Sequence, residues 1–332
     1  TLIMKKVISI IILIFIFCTK SYSQTITGQE VDDFKAIVEA YISPLGNSLG
    51  SGLNNGWYNT AKPHKLGGFD ITLTTNFVLI NQDVKTFVID EVVSDANSSI
   101  FSGGETPTIL GNNDGATLNF STGDQNGDPA ITMPSGLKIR AIPLPVLQAG
   151  IGLVKNTELT FRYIPELKIG NAGKVGLMGF GIKHDVLQWL PIVNKVPIDI
   201  SIQGGYTKVG SIITLEDPND GGLDPFDANL DISATTFNLL LSKKLLMFTP
   251  YIGIGYSSTK TSFKVPGSTS KYIIGDQYVP TGLINEGFEF ESNNKIRANI
   301  GFRFNITIIA LQANYTFSEY PVATIGVGLS VR

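Results

Sequence analysis

The sequence predicts an all-β membrane protein, an antiparallel transmembrane β-barrel of about 12 strands with a short N-terminal helix and plug segment. Three observations predict it. The chain begins with an export signal, its charged residues amount to only 16% against about 25% in soluble domains, and long segments alternate apolar and polar residues. The alternative, a secreted β-sandwich or adhesin, would have shorter strands of about 5–6 residues.

Residues 1–23 predict a secretory signal peptide, with the true start at Met4. Two lysines precede the apolar run VISIIILIFIFCT, and small residues precede a cleavage site before Gln24. The single cysteine, Cys18, lies in this run, so the mature chain is expected to offer no thiol for a disulfide or a metal site. Acidic residues outnumber basic ones by 28 to 25, and without a basic patch we expect no nucleic-acid partner.

Residues 24–65 predict an amphipathic helix and a plug-like segment. Thr27 and Glu30 form a capping box, and apolar residues then recur at helical spacing. The helix is expected to end near Ile42, before Pro44, and to be followed by a loose stretch. This segment either lies inside the barrel mouth as a plug or packs beneath the barrel in the periplasm. The plug candidates are its large apolar side chains, Leu49, Leu53, Trp57 and Tyr58.

Residues 66–332 predict the barrel itself. In segments such as 197–209, apolar residues face one side and polar or small residues the other, over about the 9–11 residues of a tilted membrane strand. Short connectors alternate with long polar ones, 211–229 and 261–287, as in outer-membrane barrels. Two less clear strands are expected in 84–122, which gives the total of about 12, with about 14 as the alternative.

The stretch GFGIKHDVLQWLP concentrates residues that could carry chemistry. Because adjacent residues of a strand point to opposite faces, His184 faces lipid and Asp185 faces the lumen with Lys183, with which it is expected to pair. His184 and Trp189 are then interface anchors at the periplasmic rim. The same alternation gives the lumen or pore candidates, Lys183, Asp185, Arg162, Asp199, Arg297 and Arg303.

Other candidate sites are weaker. A lipid-facing hydrolase at His184 would need an outward serine on a neighbouring strand, and 157–168 contains no serine. His64 is expected to be a solvated loop histidine. The acidic loop 216–231 is interpreted as a solvated surface loop, so we expect no metal site there. We also expect no cofactor and no catalytic residue elsewhere in the chain. Weak calcium candidates in that loop are Asp217, Asp220 and Asp224.

The order of the helix, YISPLG, GWYNTAKPHKLGGFD, TFRYIP, GFGIKHDVLQWLP and a terminal amphipathic strand resembles an uncharacterised family of Bacteroidota outer-membrane proteins. The resemblance covers most of the mature chain and implies no particular activity. More remotely, the plug and a barrel of this size resemble the outer-membrane long-chain fatty-acid transporter family. The final residues, Ser330-Val331-Arg332, depart from the aromatic ending that barrel-assembly machinery commonly reads.

These features together predict a protein of the outer membrane of a Gram-negative bacterium, with membrane lipid and the barrel-assembly machinery as partners. We expect a narrow channel or transporter for small, hydrophobic molecules rather than an enzyme. The alternative is a structural or surface-binding barrel that acts through its outer loops, and the remote alternative is an outer-membrane lipid hydrolase. An open path or apolar pocket in the lumen would favour transport, and a filled lumen the second function.

Overall fold

Ten antiparallel strands form a closed barrel in the described part of the chain. The computed structural model describes residues 28–94, 101–120, 130–168, 173–189, 197–215, 226–264, 273–274, 277–278, 288–292 and 296–331. The strands are β1 (Phe69–Leu79), β2 (Ala141–Leu153), β3 (Thr157–Lys168), β4 (Gly173–Asp185), β5 (Asp199–Leu215), β6 (Phe226–Ser242), β7 (Phe248–Lys264), β8 (Ile296–Ile306), β9 (Ile309–Phe317) and β10 (Val322–Val331).

Each strand pairs with its neighbours in sequence, and β1 pairs with β10, so the sheet closes on itself. A further strand, Phe288–Ser292, continues the line of β8 and pairs with β7. Closure leaves no free edge along the ring, because every ring strand has a partner on both sides. The result is an up-and-down barrel.

β3 illustrates why the barrel is apolar outside and polar inside. Successive side chains of a strand point to opposite faces. In the sequence TELTFRY, the side chains of Leu159, Phe161 and Tyr163 point outward and are exposed, whereas those of Glu158 and Arg162 point into the lumen and are buried. The same alternation recurs along the other ring strands, so an apolar outer surface encloses a polar lumen.

The two ends of the barrel differ in the length of their connections. At one end, which we call the turn end, the strands are joined by 154–156, 186–198, 243–247 and 307–308. At the other, the loop end, they are joined by 80–140, 169–172, 216–225, 265–287 and 318–321. Phe69 and Val331 pair at the turn end. This is the alternation of short and long connections that the sequence predicts.

The predicted total of about 12 strands is wrong, because the described residues of 84–122 contribute none to the barrel. The described residues between β1 and β2, 80–94, 101–120 and 130–140, instead form a cap at the loop end. Its strands are only two to four residues long and are interrupted by glycine and proline, too short for a membrane crossing. Thr86–Val88 pairs with Glu105–Pro107, and Thr117–Phe120 pairs on one side with Phe101–Ser102 and on the other with Ala130–Thr132.

The remaining short elements lie in the connections. They are the one-turn helix Ile89–Val92, the 3-10 turns Gln82–Val84 and Leu187–Trp189, and the paired dipeptides Ile273–Ile274 and Gln277–Tyr278. Among the described helices, none is both long and apolar enough to span a membrane.

The N-terminal helix α1 (Gly28–Leu53) continues past the proline at which we expected it to end. Pro44 lacks an N–H and crowds the preceding turn, so carbonyls near it lose their helical partners. The cap contacts the helix at this turn, where the backbone N–H of Ile109 donates to the Tyr41 carbonyl at 3.0 Å. Tertiary contacts therefore accompany the continuation of the helix past the proline, and local sequence patterns do not reveal them.

An apolar core joins α1, the cap and the loop end of the barrel. Ile37, Val38 and Tyr41 of the helix pack with Ile109 and Leu110 of the cap, and all five side chains are nearly inaccessible. The second half of α1 enters the barrel, where Ser51 Oγ donates to the Tyr320 carbonyl at 2.9 Å. Burial raises the pKa of the Tyr320 phenol to about 12, so this group stays neutral at the loop end.

Candidate functional site

The lumen contains residues 54–64 of the chain itself, and we call this segment the plug. It follows α1 and runs to the turn end, where Gly67, with a φ of 76°, helps turn the chain into β1. Every side chain from Asn54 to Ala61 is buried. Of the two locations that the sequence left open, the segment occupies the lumen.

Arg162 of β3 holds the beginning of the plug. Its Nη1 and Nη2 donate to the carbonyl oxygens of Leu53 and Asn55, both at 2.7 Å, and its Nε donates to Gln148 Oε1 at 3.1 Å. The guanidinium carbon lies 3.5 Å from the centroid of the Trp57 ring, a cation–π contact. Arg162 is fully buried, so this lumen candidate contacts the plug instead of bulk water.

Trp57 fills space that two glycines of the wall leave open. Gly181 on β4 lies directly opposite Gly205 on β5. A Cβ at Gly181 would lie 2.7 Å from the Trp57 ring, and one at Gly205 would lie 2.5 Å from it. Any side chain at either position would therefore displace the ring. Small residues at inward-facing positions of the wall thus leave the space that the plug occupies.

Tyr58 and Asn59 contact the opposite wall. The Tyr58 ring packs edge-on against Tyr251 of β7, with centroids 5.9 Å apart. Arg303 Nη1 of β8 donates to Asn59 Oδ1 at 2.7 Å. Arg297, on the same strand, is buried in the inward register. Arg303 therefore holds the same short segment as Arg162, and Arg297 faces the lumen beside it.

Leu49 and Leu53, the other predicted plug residues, pack against the wall. They belong to a small apolar cluster with Leu177, Ile232 and Ala234. Trp57 and Tyr58 pack in the same manner against Leu240 and Tyr251. The hypothesis that the four apolar side chains bind a hydrophobic molecule stays a prediction.

His64 anchors the plug at the turn end, and the prediction of a solvated loop histidine is wrong. Its Nδ1 lies 2.7 Å from Glu158 Oε2, and its backbone N–H donates to the same oxygen at 2.9 Å. Lys183 Nζ lies 2.9 Å from the other carboxylate oxygen. All three side chains are buried, and the charges compensate one another. The sequence does not show that this loop folds back into the lumen.

The predicted pairing of Lys183 with Asp185 is also wrong. Lys183 lies directly opposite Glu158 in the register of β3 and β4, and these two charges meet. Alternate residues of one strand are about 7 Å apart, so the cross-strand neighbour is the nearer partner. Asp185 Oδ1 instead accepts from the backbone N–H of Leu187 at 2.9 Å, where β4 ends.

Ser330 of β10 completes the anchor, with its Oγ 3.3 Å from His64 Nε2. The contacts run from a hydroxyl through an imidazole to a carboxylate, the order found in hydrolytic triads. Here the carboxylate of Glu158 is also held by Lys183, and the serine is only 9% exposed. We interpret the group as an anchor that ties the plug to three strands.

Two serines and an ion pair hold the part of the plug that precedes His64, at Ala61 and Lys62. Ser201 Oγ donates to the Ala61 carbonyl at 2.6 Å, and the Ala61 N–H donates to Ser242 Oγ at 3.0 Å. Lys62 Nζ lies 3.4 Å from Asp199 Oδ1, with about half of the lysine side chain exposed. The lumen candidate Asp199 is therefore at the rim of the turn end.

Several buried polar atoms of the lumen have no hydrogen-bond partner among the described residues. They are Trp57 Nε1, Gln203 Nε2, Asn299 Oδ1 and both amide atoms of Gln312. Buried polar groups are nearly always satisfied by protein or by water. The wall therefore offers hydrogen-bonding capacity that the plug does not use, as a surface built to meet water or a polar solute would.

His184 and Trp189 lie on the outer wall at the turn end. Trp189 is 62% exposed, and its Nε1 donates to His184 Nε2 at 3.0 Å. His184 Nδ1 then carries the proton and lies 2.9 Å from Thr157 Oγ1. With its acceptor nitrogen occupied by the indole, this histidine is not placed as the base of a serine hydrolase, and its exposed aromatic partner suits an interface.

The calcium candidates Asp217, Asp220 and Asp224 lie outside the described residues. Within the described residues, no group of three or more histidine, cysteine or acidic side chains is placed to hold a metal ion.

The sequence patterns did not identify Glu158, His64 or Asn59. Glu158 carried a usable signal, because the alternation of β3 puts it in the lumen register with Arg162. His64 and Asn59 belong to a segment with no period, so only the structure brings them to the wall.

The model of one protein family, described as "Family of unknown function (DUF6588)", matches residues 4–331. No curated protein matches the chain. The family description carries no activity, and it leaves the predicted Bacteroidota origin a prediction.

The structural neighbours of the chain are outer-membrane β-barrels. The translocator domain of autotransporter NalP from Neisseria meningitidis has 11% identity and a TM-score of 0.33, covering 92% of this chain and 100% of that one. A Pseudomonas aeruginosa FadL homologue has 12% identity and a TM-score of 0.30, covering 76% and 61%. The Pseudomonas putida toluene transporter TodX has 9% and 0.23, covering 80% and 88%. Likenesses of this size carry no argument about function.

Proposed function

This chain belongs to the DUF6588 family of unknown function, and we propose that it is an outer-membrane channel whose polar lumen is closed by its own plug. In this proposal the turn end faces the periplasm and the loop end faces outward. The solutes are small and pass when the plug leaves the wall. The observation that carries the proposal is the filling of the lumen, a segment that polar wall residues such as Arg162 and Ser201 hold by hydrogen bonds.

The outer wall supports a membrane location. Large apolar side chains that a soluble barrel would bury are half or more exposed on several strands, among them Phe180, Ile182, Phe237 and Ile300. Exposed apolar surface of this extent is unfavourable in water and favourable against lipid. Trp189 at the turn end then occupies the level of the membrane interface, where tryptophan is enriched.

The plug is held by contacts that water can replace. Its backbone and side chains bind Arg162, Ser201 and Arg303 of the wall by hydrogen bonds. Each such bond contributes only about 0.5–1.5 kcal/mol net, because the separated partners bond to water instead. Opening also separates Trp57 and Tyr58 from the wall, so the apolar surface that becomes exposed is confined to these few side chains.

Hydrophobic cargo is less well supported than polar cargo. An apolar cavity of about 710 Å³ is present, but its lining includes the outward-facing side chains of Phe248, Ile252, Ile300 and Phe302. It therefore lies on the lipid side of the wall, where an acyl chain would occupy it. The lumen itself presents hydrogen-bonding groups.

A second candidate function follows from the cap. The cap covers the loop end and is joined to α1 by an apolar core, so the barrel could present it as a fixed surface for a partner. In that case the plug would be a permanent filling of the lumen. The two functions differ in whether the plug ever leaves the wall.

Cross-linking the plug tests the channel. Thr60 Oγ1 lies 3.2 Å from Ser242 Oγ, so cysteines at these two positions are within reach of a disulfide. Native Cys18 falls in the predicted signal peptide and should not interfere. We expect the oxidised Thr60→Cys/Ser242→Cys protein to give no current in planar lipid bilayers, and reduction to restore channel openings.

The two single-cysteine variants are the matched controls, because they carry the same substitutions without the cross-link. Their current should not respond to oxidation. If the reduced double variant and the native full-length chain both give no current, the channel proposal is wrong and the fixed-surface function is favoured.

A further inference from the structure

Two arginines of the lumen are buried with neutral partners. Arg162 donates to two carbonyl oxygens and to an amide oxygen, and Arg297 Nη2 donates to Asn238 Oδ1 at 2.8 Å. Both guanidinium groups stay charged at any physiological pH. A buried cation without an anion is unfavourable, since neutral dipoles replace its hydration incompletely. The described lumen therefore holds positive charge that the closed state does not neutralise.

The bonds of Arg162 to the plug have the geometry of anion recognition. One guanidinium edge donates through Nη1 to the Leu53 carbonyl and through Nη2 to the Asn55 carbonyl, each at 2.7 Å. Parallel bonds from a guanidinium to two oxygens are how arginine binds a carboxylate or a phosphate. The carbonyls of Leu53, the last residue of α1, and Asn55 thus use the two donors that one anionic group would bind.

The surrounding charges extend this site across the lumen. Arg162 and Arg297 are both buried in the inward register of their strands, so both side chains face the lumen. Arg303 contacts the plug through Asn59. Glu158, a buried acid of the lumen, is already held by Lys183 and His64 at the turn end. Removing the plug would leave the guanidinium groups of Arg162 and Arg297 facing water with their charge available.

We infer that the opened lumen selects anions, and that Arg162 is the binding site where a carboxylate or phosphate group replaces the carbonyls of Leu53 and Asn55. This inference rests on the proposed channel and specifies its solute class. Arg297 and Arg303 supply the positive wall along which the anion passes. Solute entry and plug release are then one exchange, because the solute takes over the hydrogen bonds that the plug gives up.

Reversal potentials of the full-length protein in planar bilayers under a KCl gradient test the selectivity. We expect the native chain to prefer chloride over potassium several-fold. Arg162→Gln and Arg297→Gln should each lower that preference several-fold. Lys208→Gln removes the same charge from an exposed position on β5 and should leave the preference unchanged.

A second variant keeps the test open if loss of charge prevents insertion. Arg162→Lys retains the charge but not the paired donors, so it should keep the chloride preference. Inorganic phosphate should block the chloride current of the native chain, and it should do so several-fold less well in Arg162→Lys. Equal phosphate block in both proteins would overturn the assignment of Arg162.

The possible results distinguish a failure of anion selectivity from a failure of the channel proposal. A current without chloride preference, or with preference for potassium, overturns anion selectivity and leaves the channel standing. The absence of any current, including in the reduced Thr60→Cys/Ser242→Cys protein, overturns both.

Discussion

The plug in the lumen and the cap at the loop end are held by different kinds of contact. The cap and α1 share an apolar core in which side chains such as Ile109 and Leu110 are fully buried. The plug meets the wall through the charged and polar groups of Arg162, Arg303 and Glu158. Both regions exclude solvent, but the apolar cluster of the plug is much smaller than the core that joins the cap and α1.

The difference indicates which region can move. Separating an apolar core loses roughly 25 cal/mol for each square ångström that becomes exposed, with nothing to offset it. Separating hydrogen-bonded partners loses much less, because water takes their place. We therefore expect the cap and the part of α1 in the apolar core to stay folded while the plug, together with Leu53 at the end of α1, leaves the wall. Three substitutions test this division, from the largest expected effect to the smallest.

Glu158→Gln should release the plug. The substitution leaves Lys183 and His64 without their shared carboxylate, and removing one partner of a buried ion pair costs about 3–5 kcal/mol. The reaction rate of a thiol reagent with Thr60→Cys should rise accordingly. Glu166→Gln makes the same change at an exposed position of β3 and should leave the rate unaltered. An unchanged rate in Glu158→Gln would mean that the anchor does not hold the plug.

Ile109→Ala should destabilise the cap by about 2–5 kcal/mol, the range for truncating a buried aliphatic side chain. Limited proteolysis of the cap should become faster, whereas thiol labelling at Thr60→Cys should not. Leu66→Ala, at a position 71% exposed, is the matched control. If Ile109→Ala accelerates labelling of the plug as strongly as Glu158→Gln does, the two regions are one cooperative unit and the division fails.

Trp189→Phe should have the smallest effect, because it removes one hydrogen bond to His184 on the outer wall and keeps the aromatic ring. The loss should not exceed about 1.5 kcal/mol. The unfolding temperature of the barrel in detergent measures it. Labelling of the plug should stay at the native rate, since neither residue touches the lumen. A labelling rate that changes with Trp189→Phe would connect the outer wall to the plug.

The barrel could be predicted because strand alternation is a local signal. Arg162, Arg297 and Arg303 fall in the polar register of their strands, and this register alone places them in the lumen. The cap could not be predicted so readily, because its short runs resemble interrupted strands. Whether such runs join a barrel or fold over it depends on tertiary packing, as with the apolar core around Ile109.

The candidate site was only half accessible from the sequence. Apolar and polar residues alternate along the wall strands, whereas the plug has no repeating pattern. Trp57 could therefore be predicted as a plug residue, but its contact with Gly181 and Gly205 could not. Pro44 misled for a physical reason. A proline normally ends a helix, but the cap supplies a donor to a neighbouring carbonyl, and α1 continues into the barrel.

The path of the chain through its own barrel constrains biogenesis. Residues 54–64 lie in the lumen with α1 and the cap at one end and β1 at the other, so they cannot be inserted sideways once the ring is complete. We expect the seam between β1 and β10, which completes the ring, to close around a segment already in place. The strands would then pair around the plug. Gly181 and Gly205, which leave room for the Trp57 ring, would be needed while the barrel assembles as well as for closing the lumen.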